Sequence, residues 1–242
     1  MLQVCLNGAR TRMECRSLPV SARELAAEAA RAVATGADDI HLHPKDSEGR
    51  DSLDPHVVAE AVTAVRRAVP SGVPIGVTTG AWATPGPEER TALVRSWYVL
   101  PDHASVNWHE AGAEQVAAVL LDHGVGVEAG IYSGTGAAGR FCASPLSRRV
   151  LRVLAEVTDT NAATAAQTAV ALVEELAPVG LTPLLLHGEE GGAWPVLRVA
   201  ARLGLDARIG LEDALVLPDG TTAADNVALV QEARTFLAGE GW

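Results

Sequence analysis

Cysteine is scarce in this chain of 242 residues, which contains only three, and no two of them form a CxxC pair. An odd number at such wide spacing argues against a disulfide framework and against a structural zinc site built from cysteine. The amino terminus also lacks the charged segment followed by an apolar one that is typical of a signal peptide. We therefore expect a reduced, cytoplasmic protein.

Basic residues and long apolar segments are lacking as well. Nineteen basic against thirty acidic residues give a formal net charge of −11, whereas a nucleic-acid-binding surface is basic. No apolar run reaches the ~18 residues that a membrane span needs. The 48% of hydrophobic and 20% of charged residues are typical of a folded globular protein. We expect small-molecule partners, with no nucleic acid and no membrane.

Strand-like apolar segments alternate with alanine-rich helical segments along the whole chain. The predicted strands cover residues 2–7, 39–43, 73–78, 104–107, 126–131, 150–157, 181–186 and 206–209. The predicted helices cover about 21–35, a segment from 54 onward, 88–98, 113–123, a weaker stretch at 144–149, 162–176, 193–203 and 224–237. Eight such units in ~250 residues predict an α/β fold of the (β/α)₈ TIM barrel type, as one domain over residues 1–242. A doubly wound open sheet is the alternative, but neither GxGxxG after the first strand nor a P-loop pattern occurs.

Polar residues follow nearly every predicted strand, at the end where the active site of such a barrel lies. They are Asn7 and Arg10, His41 and His43, Thr78, Ser105 and Asn107, Glu128, Glu156, His187, and Arg208 with Glu212 and Asp213. A barrel that served only as a scaffold would not need this pattern. It predicts an active site at the carboxyl ends of the strands.

His41 and His43 are two residues apart on a strand, so their side chains share one face. Both imidazoles can then reach one metal ion at about 2.0–2.1 Å, the zinc–nitrogen distance. Glu212 is the natural third ligand, and three protein ligands leave an open position for water or substrate. The alternative is a pair of histidines that only pack and form hydrogen bonds near a strand end.

Arg208 and Asp213 form a second group of interest. An arginine beside Asp213 would hold the carboxylate ionised and oriented, although an ordinary surface ion pair is the alternative. Glu128 and Glu156 interrupt apolar strands, so each needs a buried partner, either a metal or histidine or a structural amide or arginine. His187 could bind substrate or cap its loop, and we expect His103 simply to open the fourth strand.

A resemblance to a known family rests on four segments. They are HLHPKD at positions 41–46 with Gly49, Arg50 and Leu53 after it, VTTG at 77–80, SVN at 105–107 and RIGLED at 208–213. In this order they resemble the β-keto acid cleavage enzymes, a family that includes 3-keto-5-aminohexanoate cleavage enzyme. The resemblance extends from residue 2 to about residue 230.

The resemblance implies a zinc-dependent acyltransferase, in which a β-keto acid and acetyl-CoA give acetoacetate and a new acyl-CoA. By similarity, His41, His43 and Glu212 would bind Zn²⁺, although another divalent metal would also fit. Asp213, supported by Arg208, would remove the substrate proton. The family also places substrate against positions that match Thr78 and Ser105, with Asn107 and Glu128 nearby, and its members commonly form homo-oligomers.

Arg10 departs from the aminohexanoate enzyme, which has a glutamate at this position to meet the substrate's ammonium group. A cation here predicts a β-keto acid with a neutral or anionic tail, such as a dicarboxylate held bidentately. The chain also ends at Trp242, earlier than typical members. If their longer tail binds CoA or holds subunits together, the resemblance implies neither the acceptor nor the oligomeric state for this chain.

Two other functions compete with this one. A metal-dependent hydrolase on the same barrel would also use an HxH pair, but usually after the first strand and with further histidines on the middle strands. A sensor that binds an acyl-CoA or a keto acid without turnover would be expected to lack a metal ligand or the base. We rank both the hydrolase and the sensor below the acyltransferase.

Overall fold

The computed structural model describes residues 1–84, 86–180 and 182–239. Its strands are all parallel and form a closed barrel in chain order. They are β1 (Leu2–Cys5), β2 (Asp39–Leu42), β3 (Ile75–Thr78), β4 (His103–Asn107), β5 (Gly126–Tyr132), β6 (Arg152–Val157), β7 (Leu184–Gly188) and β8 (Asp206–Ile209). The helices are α1 (Ala22–Ala34), α2 (Pro55–Ala68), α3 (Pro87–Arg95), α4 (Ala113–Asp122), α5 (Ala137–Ala143), α6 (Ala165–Glu175), α7 (Ala193–Leu203) and α8 (Asn226–Gly239). The predicted (β/α)₈ TIM barrel is confirmed.

Helix ends follow from local chemistry. The Ser21 hydroxyl accepts a hydrogen bond from the Glu24 amide, and the Glu24 carboxylate accepts one from the Ser21 amide, so this capping box begins α1. The Asp54 carboxylate begins α2 by accepting hydrogen bonds from the amides of His56 and Val57, and Pro55 occupies the first turn. Within the described residues, no helix is long and apolar enough to cross a membrane.

The fifth helix differs from the sequence prediction. We predicted a weak helix at 144–149, but the helix is α5 and residues 144–149 form turns. The reason is Pro145, which pushes the preceding Ser144 into an extended conformation (φ −70°, ψ 137°) and so ends the helix. Leu181, where we predicted the seventh strand to begin, lies outside the described residues.

The barrel interior is polar near the amino-terminal ends of its strands, where such barrels usually carry bulky aliphatic side chains. We name five of these buried residues the inner cluster: Gln3, Asp39, His103, Glu128 and Arg152. Arg152 donates to Glu128 Oε1 and to Asp39 Oδ2, each at 2.6 Å. His103 contacts Asp39 Oδ1 through Nε2 at 3.0 Å and Glu128 Oε2 through Nδ1 at 3.2 Å.

His103 therefore does more than open β4, which was the whole of its predicted role. Burial alone would lower the pKa of His103, but the charges of Glu128 and Asp39 outweigh it and raise that pKa to about 10. With His103 protonated, two cations face two carboxylates. The inner cluster is therefore neutral as a whole, and this is the condition under which burying charge is tolerated.

Candidate active site

A cavity of about 370 Å³ opens at the carboxyl ends of the strands, where the sequence predicts the active site. Its lining residues come from several loops around the barrel: Ala9, Arg10, Glu14, His43, Trp82, Tyr132, Glu189, Glu190 and Glu212. We name this space the mouth cavity. It is concave and rich in ionisable groups, as a small-molecule site would be.

His41, His43 and Glu212 meet at the floor of the mouth cavity. One ligand atom from each lies within 4.8 Å of the others, with His43 Nε2 3.4 Å from Glu212 Oε1 and His41 Nε2 3.9 Å from Glu212 Oε2. The strand period places both histidines on the inner face of the barrel, and the turn after β8 delivers Glu212. Gly8 makes room for Glu212, because a Cβ at this position would lie only 2.4 Å from Glu212 Cγ. Its φ of +59° is also a conformation that glycine adopts more easily than other residues.

These three residues fit a metal ion. Glu212 Oε2 is buried without a hydrogen-bond partner in the described part of the chain, and two imidazoles with one carboxylate suit zinc. Burial lowers the pKa of His41 to about 3, so its imidazole is neutral and able to ligate. Burial would also lower the pKa of His43, but Glu212 and Asp51 raise it to about 9, so this position attracts positive charge.

Asp51 orients His43, and the sequence analysis missed this role. Its Oδ2 lies 2.8 Å from His43 Nδ1 and accepts a hydrogen bond from Trp82 Nε1 at 2.7 Å, while Lys45 Nζ donates to Oδ1 at 2.6 Å. The Trp82 ring stacks on His43 with 5.8 Å between centroids. Holding Nδ1 in this way leaves Nε2 free for a metal, a common arrangement behind ligating histidines. An acidic residue in the loop after the HxH strand was the available signal.

Arg208 and Asp213 lie beside this group, and both are buried. Arg208 Nη2 donates to Asp213 Oδ1 at 2.9 Å and contacts Glu212 Oε1 at 2.7 Å. Burial would raise the pKa of Asp213, but the Arg208 charge holds it below its usual range, so the carboxylate is ionised. The alternative of an ordinary surface ion pair is therefore wrong. We name His41, His43, Arg208, Glu212 and Asp213 the mouth cluster.

The predicted substrate-binding residues occupy different levels of the barrel. Thr78, Ser105 and Asn107 are buried in the interior at the ends of β3 and β4, and Asn107 Nδ2 donates to Glu110 Oε1 at 2.9 Å. Glu128 belongs to the inner cluster, below His41, whose Nδ1 is 3.9 Å from Glu128 Oε2. None of these four is among the described residues that line the mouth cavity.

Arg10 lines the mouth cavity, but its charge already has a partner. The guanidinium forms an ion pair with Glu190 and donates from Nε to the Glu212 carbonyl oxygen at 3.2 Å. Glu190 and its neighbour Glu189, whose pKa is raised by burial, were not singled out from the sequence. Their position directly after the seventh strand was the sequence feature that could have indicated them as site residues.

His187, for which two roles were left open, lies between two carboxylates. Its Nε2 is 3.3 Å from Glu156 Oε2, and its Nδ1 is 3.4 Å from Asp213 Oδ1. His187 therefore contacts a member of the mouth cluster rather than capping a loop.

Comparisons with known proteins agree on the fold and identify a family. A family model described as beta-keto acid cleavage enzyme matches residues 1–241, and no curated protein matches the sequence. The structure is similar to that of ObcA in ternary complex with a C4-CoA adduct and oxalate, at 18% identity and a TM-score of 0.70. This similarity covers 93% of this chain and 64% of the ObcA chain, so the chain spans less than two thirds of that relative.

Two dehydratases have the same barrel. A type I 3-dehydroquinate dehydratase from Clostridium difficile matches at 14% identity and a TM-score of 0.65, over 98% of this chain and 90% of that one. The 3-dehydroquinate dehydratase from Enterococcus faecalis matches at 14% identity and a TM-score of 0.62, over 98% and 92%. At these identities the structural neighbours show the fold alone.

Proposed function

Because the chain belongs to the beta-keto acid cleavage enzyme family, we propose that it is a zinc-dependent acyltransferase. It would convert a β-keto acid and acetyl-CoA into acetoacetate and a new acyl-CoA. One observation carries the proposal: three metal-ligand atoms within 4.8 Å of one another lie directly beside a buried arginine–aspartate pair. A metal ion held by these atoms would stabilise an enolate, and it would lie next to the Asp213 carboxylate, which can take up a proton.

His41, His43 and Glu212 would hold the metal ion, with Asp51 fixing the orientation of His43. Zn²⁺ is the first choice for this donor set, and another divalent cation would also be accepted. When bound, the ion supplies positive charge next to the oxygen on which the enolate charge develops.

Asp213 is the proposed base. It takes a proton from the carbon between the keto and carboxylate groups, and Arg208 keeps it ionised and oriented before that step. The resulting carbanion attacks the acetyl-CoA carbonyl, a carbon–carbon bond forms and CoA leaves as the thiolate. The thiolate adds to the original keto carbonyl, and the bond from that carbon to the central carbon breaks. A new acyl-CoA is released, and the acetoacetate carbanion recovers its proton from Asp213.

Substrate contacts remain proposals. Thr78, Ser105 and Asn107 offer hydroxyl and amide groups from β3 and β4, and Glu128 on β5 is paired with Ser105 in the sheet register. Arg10 supports a substrate tail that is neutral or anionic. A tail carboxylate would have to displace Glu190 from the guanidinium, whereas a neutral tail would leave that pair intact.

The wider setting is also proposed. ObcA, of which the chain spans 64%, was solved with a C4-CoA adduct, and this supports a CoA thioester as the second substrate. We further propose that residues 1–242 form one domain that acts as a cytoplasmic homo-oligomer. The net charge of −11 supports small molecules rather than nucleic acids as its partners.

The test is acetoacetate formation by the zinc-loaded protein from acetyl-CoA and neutral, amino and dicarboxylic β-keto acids. Activity that is lost in H43A and retained in H56A, whose histidine lies exposed at the start of α2, would support the proposal. Activity on 3-keto-5-aminohexanoate above that on every other substrate would refute the role of Arg10. If zinc binds stoichiometrically but no substrate reacts, the acyltransferase proposal is wrong.

A further inference from the structure

A chain of three buried ionisable side chains crosses the last three strands of the barrel. Glu156 on β6 is directly paired with His187 on β7 in the sheet register, and Asp213 follows β8. His187 lies between the two carboxylates, at 3.3 Å from Glu156 and 3.4 Å from Asp213. All three side chains are at most 5% exposed. Packing alone does not require three such groups here, because aliphatic side chains would fill this space at lower cost.

The neighbouring strand leaves room for this arrangement. Gly130 on β5 has no side chain, and a Cβ at this position would lie 2.6 Å from Glu156 Oε1. Burial and the charge of Arg208 lower the pKa of His187, but the two carboxylates outweigh them and raise it to about 9. At neutral pH the imidazolium is therefore within ion-pair distance of both carboxylates, although in this orientation neither ring nitrogen forms a hydrogen bond with the described residues.

The donors around Asp213 converge on one of its two oxygens. Oδ1 accepts from Arg208 Nη2 at 2.9 Å and from Nε at 3.2 Å, and it also faces His187 Nδ1. Within the described residues, the one hydrogen bond that Oδ2 accepts comes from Arg208 Nε, at the longer distance of 3.4 Å. Oδ2 is thus the less satisfied oxygen, and it retains more of its basicity.

We infer that His187 is a positioning residue, held by Glu156, that fixes Oδ1 of Asp213 so that Oδ2 takes up the substrate proton. This inference rests on the proposed function, in which Asp213 is the base. Arg208 contacts both oxygens from the side of β8, and a second contact from another strand would hold the plane of the carboxylate more firmly. His187 supplies this second contact from β7 and leaves the oxygen on the opposite side for the substrate proton.

Deuterium exchange provides the test, because it isolates proton removal from CoA chemistry. The zinc-loaded protein is mixed in D₂O with the best β-keto acid of the panel and without acetyl-CoA. Deuterium uptake at the central carbon, above the uptake without protein, is followed by NMR. H187L fills the space without a donor, H187N retains an amide N–H near the position of Nδ1, and H56N is the matched control away from the site.

We expect H187L to lower the exchange rate at saturating substrate about a hundredfold, the scale of effect that a misplaced reacting group produces. The half-saturating substrate concentration and the zinc content should stay unchanged. H187N should recover most of the rate, and H56N should match the wild type. Exchange by H187L at the wild-type rate would overturn the inference, and so would equal losses in H187L and H187N.

Two further readouts keep the inference decidable. If H187L does not fold, E156Q provides the test instead. This variant should slow deuterium exchange about tenfold, because the imidazole of His187 is then held less firmly. An unchanged exchange rate in E156Q would overturn the inference. Independently of activity, the His187 Nδ1 proton should be protected from solvent in ¹H–¹⁵N spectra of the metal-free protein, and rapid solvent exchange of this proton would also overturn it. A wild type that takes up no deuterium refutes the proposed function, and the inference falls with it.

Discussion

The inner cluster and the mouth cluster are two buried groups of ionisable residues at neighbouring levels of the same barrel, and they differ in how closely their charges are paired. In the inner cluster, both carboxylates have a cation against each oxygen, at 2.6–3.2 Å. In the mouth cluster, Glu212 Oε2 has no hydrogen-bond partner, and the nearest His41 nitrogen is 3.9 Å away. Glu128 Oε2 and His103 Nδ1 of the inner cluster also lack a hydrogen bond within the described residues, but they lie 3.2 Å apart as an ion pair. Every carboxylate oxygen of the inner cluster thus has a cation close by, whereas the mouth cluster has unused capacity for a ligand.

This difference separates a structural role from a functional one. Burying a charge is costly unless a partner compensates it, so the inner cluster stabilises the fold only as a complete set. The unpaired atoms of the mouth cluster carry an energetic cost that a bound metal ion would relieve. The positions agree with this division, because the carboxyl-terminal face of such barrels carries catalysis and the amino-terminal face carries stability.

The largest expected effect is on activity, from D213N in the mouth cluster. The amide cannot accept the substrate proton, so acetoacetate formation should fall by about 10²- to 10⁴-fold, the usual contribution of a general base. Asparagine has nearly the same shape, and Arg208 retains Glu212 as a partner, so the melting temperature should change little. D225N, at a carboxylate paired with Arg31 on the surface, is the control and should retain full activity. Loss of folding in D213N would show that the mouth cluster is structural too.

R152M in the inner cluster should do the reverse and act mainly on stability. It leaves Asp39 and Glu128 with only His103 as a cationic partner, and removing one member of a buried ion pair costs about 3–5 kcal/mol. Urea unfolding followed by circular dichroism measures this loss. R148M, at an exposed arginine, should change the free energy of unfolding by less than about 0.5 kcal/mol. An equally small change in R152M would contradict the structural role of the inner cluster.

The fold and the centre of the site could be predicted from the sequence because they depend on local patterns. Alternation of apolar and alanine-rich segments indicates the barrel, and a spacing of two residues on a strand places His41 and His43 on one face. The fifth helix was misplaced because Pro145 keeps Ser144 extended and so ends the helix at Ala143, before the predicted segment begins. Local patterns set element type more reliably than element ends.

The inner cluster could not be predicted because barrel closure creates it. Asp39 and Arg152 are 113 residues apart in the chain yet share a hydrogen bond of 2.6 Å, and nothing local to either residue indicates the other. Asp51 and His187 were missed or left open for a related reason. Each acts through a neighbour, His43 or Asp213, and only the folded positions reveal that contact.

Zinc addition should stabilise the protein through the mouth cluster alone. A ligand that binds only the folded state adds about 2.7 kcal/mol when its free concentration is a hundredfold above Kd. Thermal unfolding of the metal-free protein with increasing zinc should therefore show a rising Tm. H43A should abolish most of this rise and H56A should not. If zinc raised the Tm of H43A by as much as that of the wild type, the metal would bind outside the mouth cluster. The contrast between the two clusters would then not hold.

A pH dependence of stability should arise in the inner cluster. His103 has a pKa of about 10 in the folded protein and about 6.5 when unfolded. Because the folded pKa is the higher one, the stabilisation is complete below about pH 6.5 and is lost as the pH rises through 10. The free energy of unfolding should fall more steeply between pH 7 and pH 10 in the wild type than in H103Q, and urea unfolding across this range measures both slopes. The histidines of the mouth are present in both proteins, so their titration cancels in the difference between the curves. Parallel curves for the wild type and H103Q would mean that His103 is neutral. Asp39 and Glu128 would then share one cation, and the inner cluster would be as incompletely paired as the mouth cluster.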